Sequence, residues 1–206
     1  MYTPHAFLVD DLADIRRMMA ACRLANFVTA TSDGPMATPL PMFLDESEGE
    51  GGVLYAHLAR PNPHWKAKPI GPGLAIFMGP DAYVTPSWYA SKAEHGKVVP
   101  TWNYESVHAS GPVEFFDDAE RLLDVVTRLT RLHEDGRTSP WAVSDAPESY
   151  IAGQLRGIVG LRMPIEKLEG KRKMSQNRSE ADRAGVREGL CASREAMDRV
   201  AAKLVP

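Results

Sequence analysis

Cysteine is scarce in this 206-residue chain: Cys22 and Cys191 stand far apart and form no CxxC pair. That spacing excludes a disulfide framework and a cysteine-built metal centre, and both thiols read as small hydrophobes. No stretch of about 18 apolar residues occurs, so no membrane-spanning helix is expected. Met1 to Asp10 hold no basic segment followed by an apolar one, so no secretory leader is expected and the cytoplasm is the default compartment. Neither GxGxxG nor GxxxxGK[ST] is present, which removes the usual dinucleotide and P-loop sites. The six histidines include no HExxH, so no metal site is assigned. No GxSxG elbow marks a nucleophile, and the catalytic residues are left unassigned. The formal net charge is only −3, so any DNA contact would need a local basic patch.

With 44% hydrophobic and 25% charged residues, the chain has the balance of a folded domain with a core. Asp10 or Asp11 caps a helix from Leu12, with Ile15, Met18, Met19 and Cys22 at helical spacing. Phe27–Thr31 and Met36–Leu44 read as a hairpin around Ser32-Asp33-Gly34, its second strand edge-like because of Pro35, Pro39 and Pro41. Val53–Ala59 is a third strand, and Asn62 caps a short helix through Lys68. Leu74–Met78 and Ala82–Thr85 are strands joined by a turn at Gly79-Pro80-Asp81, and Val98–Phe116 is extended. Asp117 with Glu120 resembles a capping box before the apolar face Leu122, Val125, Val126, Leu129 and Leu132. Glu148–Leu155 is a short helix, Gly157–Glu169 is strand-like and pairs about Met163-Pro164, and Ser179–Leu204 is helical with a break near Gly189. Strands and helices do not alternate regularly, which favours an antiparallel barrel with peripheral helices over a doubly wound parallel sheet.

Three segments hold the donors and aromatics that ligand binding needs. His57 to Trp65 is a strand end entering a helix start, where unsatisfied amides, Arg60, His57, Asn62 and His64 suit an anion; a capped surface helix explains the same residues. Trp102 and Tyr104 share one face of an extended chain, as suits a planar heterocycle or an ordinary aromatic core. Glu169 to Arg178 has four basic residues in ten, with Ser175, Gln176 and Asn177 as further donors. Such a run binds phosphate or a polar ring edge, or merely solvates a strand edge.

The blocks Met1 to Phe7, His57 to Trp65, Gly79 to Tyr89, Val99 to Tyr104, Gln154 to Gly160 and Glu169 to Arg178 occur in an order that resembles the PaiB family. The resemblance implies an antiparallel Greek-key split barrel, a β-barrel with peripheral helices of α+β class, related to the pyridoxamine phosphate oxidases. It implies residues 1–170 as the barrel with inserted helices and 171–206 as a C-terminal segment packed on it. It implies FMN as cofactor, a homodimer, and negative transcriptional regulation of protease production and sporulation. By position in that fold, the flavin contacts are Thr38, Pro39, Leu40, His57, Arg60, Asn62, Trp65, Trp102, Tyr104, Lys173 and Gln176. Two alternatives stay open on the same barrel: a flavin-dependent oxidoreductase using NAD(P)H or a related donor, and a haem protein with a histidine ligand. Direct DNA binding lacks support, because Ser179–Leu204 mixes Arg183, Arg187, Arg194, Arg199 and Lys203 with an equal number of acids.

Overall fold

The computed structural model describes residues 1–22 and 24–206. The chain divides into two compact units interleaved in sequence: residues 1–22, 77–107 and 169–206 form one, and residues 23–76 and 108–168 form the other.

In the first unit, Asp11 caps α1 (Leu12–Ala21) by accepting the Asp14 amide at 2.9 Å. The helix buries Ile15, Met18 and Met19, the face its periodicity predicts. Strand β1 (Leu8–Val9) pairs antiparallel with β10 (Lys167–Lys173), Leu8 opposite Lys171. A Cβ on Gly170 would stand 2.8 Å from Ile15 Cγ1, so glycine there lets α1 lie close on the strand. The strands of this unit follow the order β1-β10-β7-β6, where β6 is Gly73–Val84 and β7 is Thr101–Gly111. The expected turn at Gly79-Pro80-Asp81 is absent, because β6 runs straight through it. Here the glycine serves close approach: a Cβ on Gly79 would meet the Glu105 Cβ at 2.8 Å. A short α2 (Ser91–His95) ends on the left-handed Gly96.

Helix α5 (Glu180–Cys191) is capped by Ser179 and followed by α6 (Ala196–Ala202). Their apolar faces share a core with Ala82, Val84, Tyr89 and Met174. The break between them falls after Cys191 and not near Gly189. Gly185 and Gly189 instead receive Trp88, whose carbonyl and indole leave no room for a Cβ.

In the second unit, β2 (Ala25–Thr31) and β3 (Gly34–Leu40) form the expected hairpin, Phe27 opposite Thr38, with Gly34 at positive φ, but the return strand stops at Leu40 and Met42–Leu44 belong to a strand of the other sheet. β6 and this hairpin follow the order β6-β2-β3. A four-stranded sheet has the order β4-β5-β9-β8, from β4 (Met42–Asp45), β5 (Val53–Ala59), β8 (Glu114–Phe116) and β9 (Ile158–Pro164). β9 and β10 do not pair with each other; β9 takes β5 and β8 as neighbours. Helix α3 (Ala119–Glu134), capped by Asp118, buries Leu122, Val125 and Leu129 with Phe116 and with Leu155 of α4 (Glu148–Leu155). Each fully buried aliphatic of this kind contributes about 1.5–3 kcal/mol. No described helix is long and apolar enough to cross a membrane.

Candidate functional site

The second unit gathers its polar groups at one corner, where β5 turns onto the β2–β3 hairpin. Asn62 stops the strand and caps a single 3-10 turn, Pro63–Lys66, by accepting the His64 amide at 3.0 Å. The helix expected through Lys68 is therefore shorter. The cap drives the His64 ring, only 1% exposed, between the two hairpin strands. Its Nε2 lies 2.8 Å from Thr29 Oγ1, its Nδ1 lies 2.8 Å from Thr38 Oγ1, and its ring sits 4.9 Å from that of Phe27. Asn62 Nδ2 donates to Thr38 Oγ1 at 3.4 Å. Burial holds the His64 pKa below the ordinary histidine value. A neutral imidazole, one nitrogen donating and one accepting, satisfies both hydroxyls.

Thr38, Asn62 and Trp65 thus come together, with Arg60 beside them. Arg60 is less free than its sequence position suggests: Nε donates to the Arg156 carbonyl at 2.7 Å, Nη2 to the Ile158 carbonyl at 3.0 Å, and Nη1 lies 3.6 Å from Asp117. Trp65 Nε1 donates to the Arg60 carbonyl at 2.8 Å, and Lys66 Nζ lies 5.2 Å from the Trp65 ring centre. Leu40 is buried core, and Pro39 is exposed. His57 is half-buried on β5, on the strand face of Tyr55, which packs toward α3. Its Nδ1 is shielded and has no hydrogen-bond partner among the described residues, and burial lowers its pKa.

The remaining expected contacts lie in the first unit. Trp102 is 50% exposed, with Nε1 donating to Asp81 at 2.7 Å. Tyr104 shares its strand face, under Lys171 Nζ at 5.0 Å. Gln176 is folded onto its own main chain: Oε1 accepts the Met174 amide at 2.6 Å and Nε2 donates to the Arg172 carbonyl. That closure carries Ser175 into the left-handed region, φ 64°, as the one described non-glycine residue there. Lys173 Nζ donates to Thr101 Oγ1 and to the Trp102 carbonyl. Thr29 and His64, the centre of the first corner, were outside the expected contact set. An apolar-looking strand gives no sign that its Thr29 faces an imidazole, and His64 was visible only as one donor in a loop.

Residues 1–167 match the family model described as "Putative FMN-binding domain". The chain is 30% identical over 191 residues to the "Protease synthase and sporulation protein PAI 2" of Bacillus subtilis, covering 92% of this chain and 89% of that protein. Among solved structures it is similar to the flavocytochrome Anf3 from Azotobacter vinelandii, with TM-score 0.58 and 17% identity over 87% of this chain and 76% of the other. It is also similar to the FAD and heme binding protein from Mycobacterium smegmatis, with TM-score 0.54 and 18% identity over 78% and 70% of the two chains. At such identities the structures speak for the fold, which is the expected antiparallel split barrel with peripheral helices.

Proposed function

The chain belongs to the FMN-binding domain family, and from that membership we propose that it binds FMN as a homodimer, with the corner of β3 and the β5 turn as part of the cofactor's seat. The observation that carries this assignment is the network in which Thr38 bonds the His64 ring while Asn62 accepts the His64 amide and donates to Thr38. The donor set suits a phosphorylated ring compound. Thr38 and Asn62 supply neutral donors, Arg60 and Lys66 supply positive charge, and Trp65 supplies an aromatic wall. A network whose own rotamers are fixed by hydrogen bonds meets a ligand with little ordering cost. Arg60, bound to two carbonyls, acts mainly as a fixed field and offers what remains of its Nη1.

Pro39 and Leu40 would offer backbone groups to the ring's polar edge. Trp102 and Tyr104, on one strand face, would offer an aromatic surface to the flavin of a second copy. His57, with its unpaired Nδ1, and Tyr104 are the candidates of this set for exchanging a proton. Lys173 and Gln176 shape the turn after β10. Bound flavin supplies one- and two-electron redox chemistry, while the protein positions it and tunes the surrounding charge.

The regulatory role that the PaiB resemblance implies would, on this reading, follow flavin occupancy and not direct DNA contact. Arg183 and Arg187 pair with Glu180, and Arg199 donates to the Ser193 carbonyl at 2.8 Å, so three of the five cations of the C-terminal helices have partners within the segment. The test is an absorbance spectrum of the purified protein before and after FMN addition and desalting. Flavin retained at about one per chain supports the assignment, and NAD(P)H oxidation then separates an oxidoreductase from a regulator. No retained flavin and no quenching on titration would remove it. A Soret band would put haem in its place.

A further inference from the structure

Lys173 and Arg178 lie on the same small cleft of the first unit, about 50 Å³ in volume, together with Thr101, Asn103, Ser175, Asn177 and Tyr89. We propose that this cleft is a second ligand site, separate from the flavin corner, that receives a compact oxyanion: the phosphate or carboxylate group of a small molecule.

Four observations converge on it. The two cations meet no carboxylate at ion-pair distance among the described residues: Lys173 donates to Thr101 Oγ1 and the Trp102 carbonyl, and the Arg178 guanidinium lies against Tyr89, its Cζ 4.5 Å from the ring centre, with Asp182 acting on it only through charge. Asp182, an acid of the same unit, spends its oxygens on the Ser91 amide and hydroxyl, each at 2.9 Å. Second, Tyr89 is 3% exposed, and its hydroxyl, beside the Arg178 guanidinium, gives its own proton to no acceptor among the described residues. Leaving such a group unpaired is costly, and an incoming acceptor removes that cost. Third, the wall is rigid. Asn103, wholly buried, donates to Ser175 Oγ at 3.0 Å, and Ser175 holds a left-handed backbone that costs about 1–3 kcal/mol in a non-glycine residue. Strain of this kind persists only where the surrounding structure holds it, as Gln176 does here. Fourth, burial first, and then the positive charges of Lys171 and Arg178, lower the Lys173 pKa, in keeping with a half-buried ammonium that has no counter-charge beside it. A cleft of this size suits one oxyanion, with the rest of the ligand projecting to solvent past the exposed Asn177.

The test is calorimetric titration of the full-length protein with inorganic phosphate and, separately, with acetate, each with and without saturating FMN. Saturable binding near one per chain, unchanged by FMN, is expected. Preference for phosphate would mark a phosphate ester as the natural ligand, and preference for acetate a carboxylic acid. Arg178→Ala should weaken binding by about tenfold or more, as loss of a charged donor does, and Arg178→Lys should restore part of it. Asn177→Ala, at an exposed position without packing, should weaken it severalfold while leaving thermal stability and FMN content intact. No saturable binding of either anion would overturn the proposal, as would full affinity in both Arg178→Ala and Asn177→Ala. Competition between FMN and phosphate would overturn it differently, by making the cleft the seat of the flavin's own phosphate.

Discussion

Replacing Thr29 by valine removes one hydroxyl and almost no volume. The hydroxyl lies 2.8 Å from His64 Nε2, and Thr29 and His64 are each 1% exposed. No tautomer rescues the ring, because Nδ1 stays bound to Thr38. Nε2 is then a buried nitrogen without a partner, which costs about 1–3 kcal/mol. For a chain of this length each kcal/mol moves Tm by about 2–4 °C, so Thr29→Val should melt roughly 2–12 °C below the parent. Thr29→Ser keeps the hydroxyl and isolates the smaller loss of one methyl. Ser32→Ala, on the exposed hairpin turn, serves as the neutral control. Circular dichroism melts and urea titrations at pH 7.5 give the numbers. If Thr29→Val falls with Ser32→Ala, within about 0.5 kcal/mol of the parent, the His64 network does not lock the corner as argued.

Acidification provides an independent check on the same histidines. Burial depresses the folded pKa of His57 and His64 below 6.5, so the unfolded chain takes up protons that the folded chain refuses. Stability should be full above about pH 6.5 and fall as the pH drops below it, as urea midpoints at pH 7.5 and 5.5 would show; equal midpoints would contradict the burial. Asp45 behaves oppositely to a buried acid: bonds from Ser47 and Arg128 hold its pKa at about 2 against 3.8, so its contribution is lost as the pH falls from 3.8 through about 2. Asp45→Asn should flatten the acid limb of the stability curve in that window. In α5, Gly185→Ala would set a methyl 2.0 Å from the Trp88 carbonyl and should cost about 1–3 kcal/mol. Gly136→Ala, with nothing within 4 Å, should be nearly silent.

Local signals carried much of the fold. Asp11 as cap and the Ile15, Met18, Met19 face predicted α1, and the turn at Gly34 predicted the hairpin, because both depend on neighbours in sequence. Gly79-Pro80 misled, since a glycine needed for close approach to Glu105 has the same letter as a glycine needed for a turn. The partners of β9 were not legible, because strand partners are chosen by long-range packing and the chain gives no local mark of them. At the site, Asn62 was legible as a helix start, but the carbonyls that occupy Arg60 come from residues 156 and 158, nearly a hundred positions away. The strained turn at Ser175 was likewise hidden, since serine rarely takes that backbone and only Gln176 closing over it explains the exception.

The pairing of Leu8 with Lys171 also sets a timetable for synthesis. A ribosome adds about 5–20 residues per second, so β1 emerges on the order of 10–30 s before the strand it must join. Residues 1–22 and 77–107 belong to a unit that cannot close until residues 169–206 have followed. For that interval the apolar face of α1 waits without its partner, exposed to misassociation and to proteases. A stop codon late in the gene would therefore strand the beginning of the protein as well as remove its end.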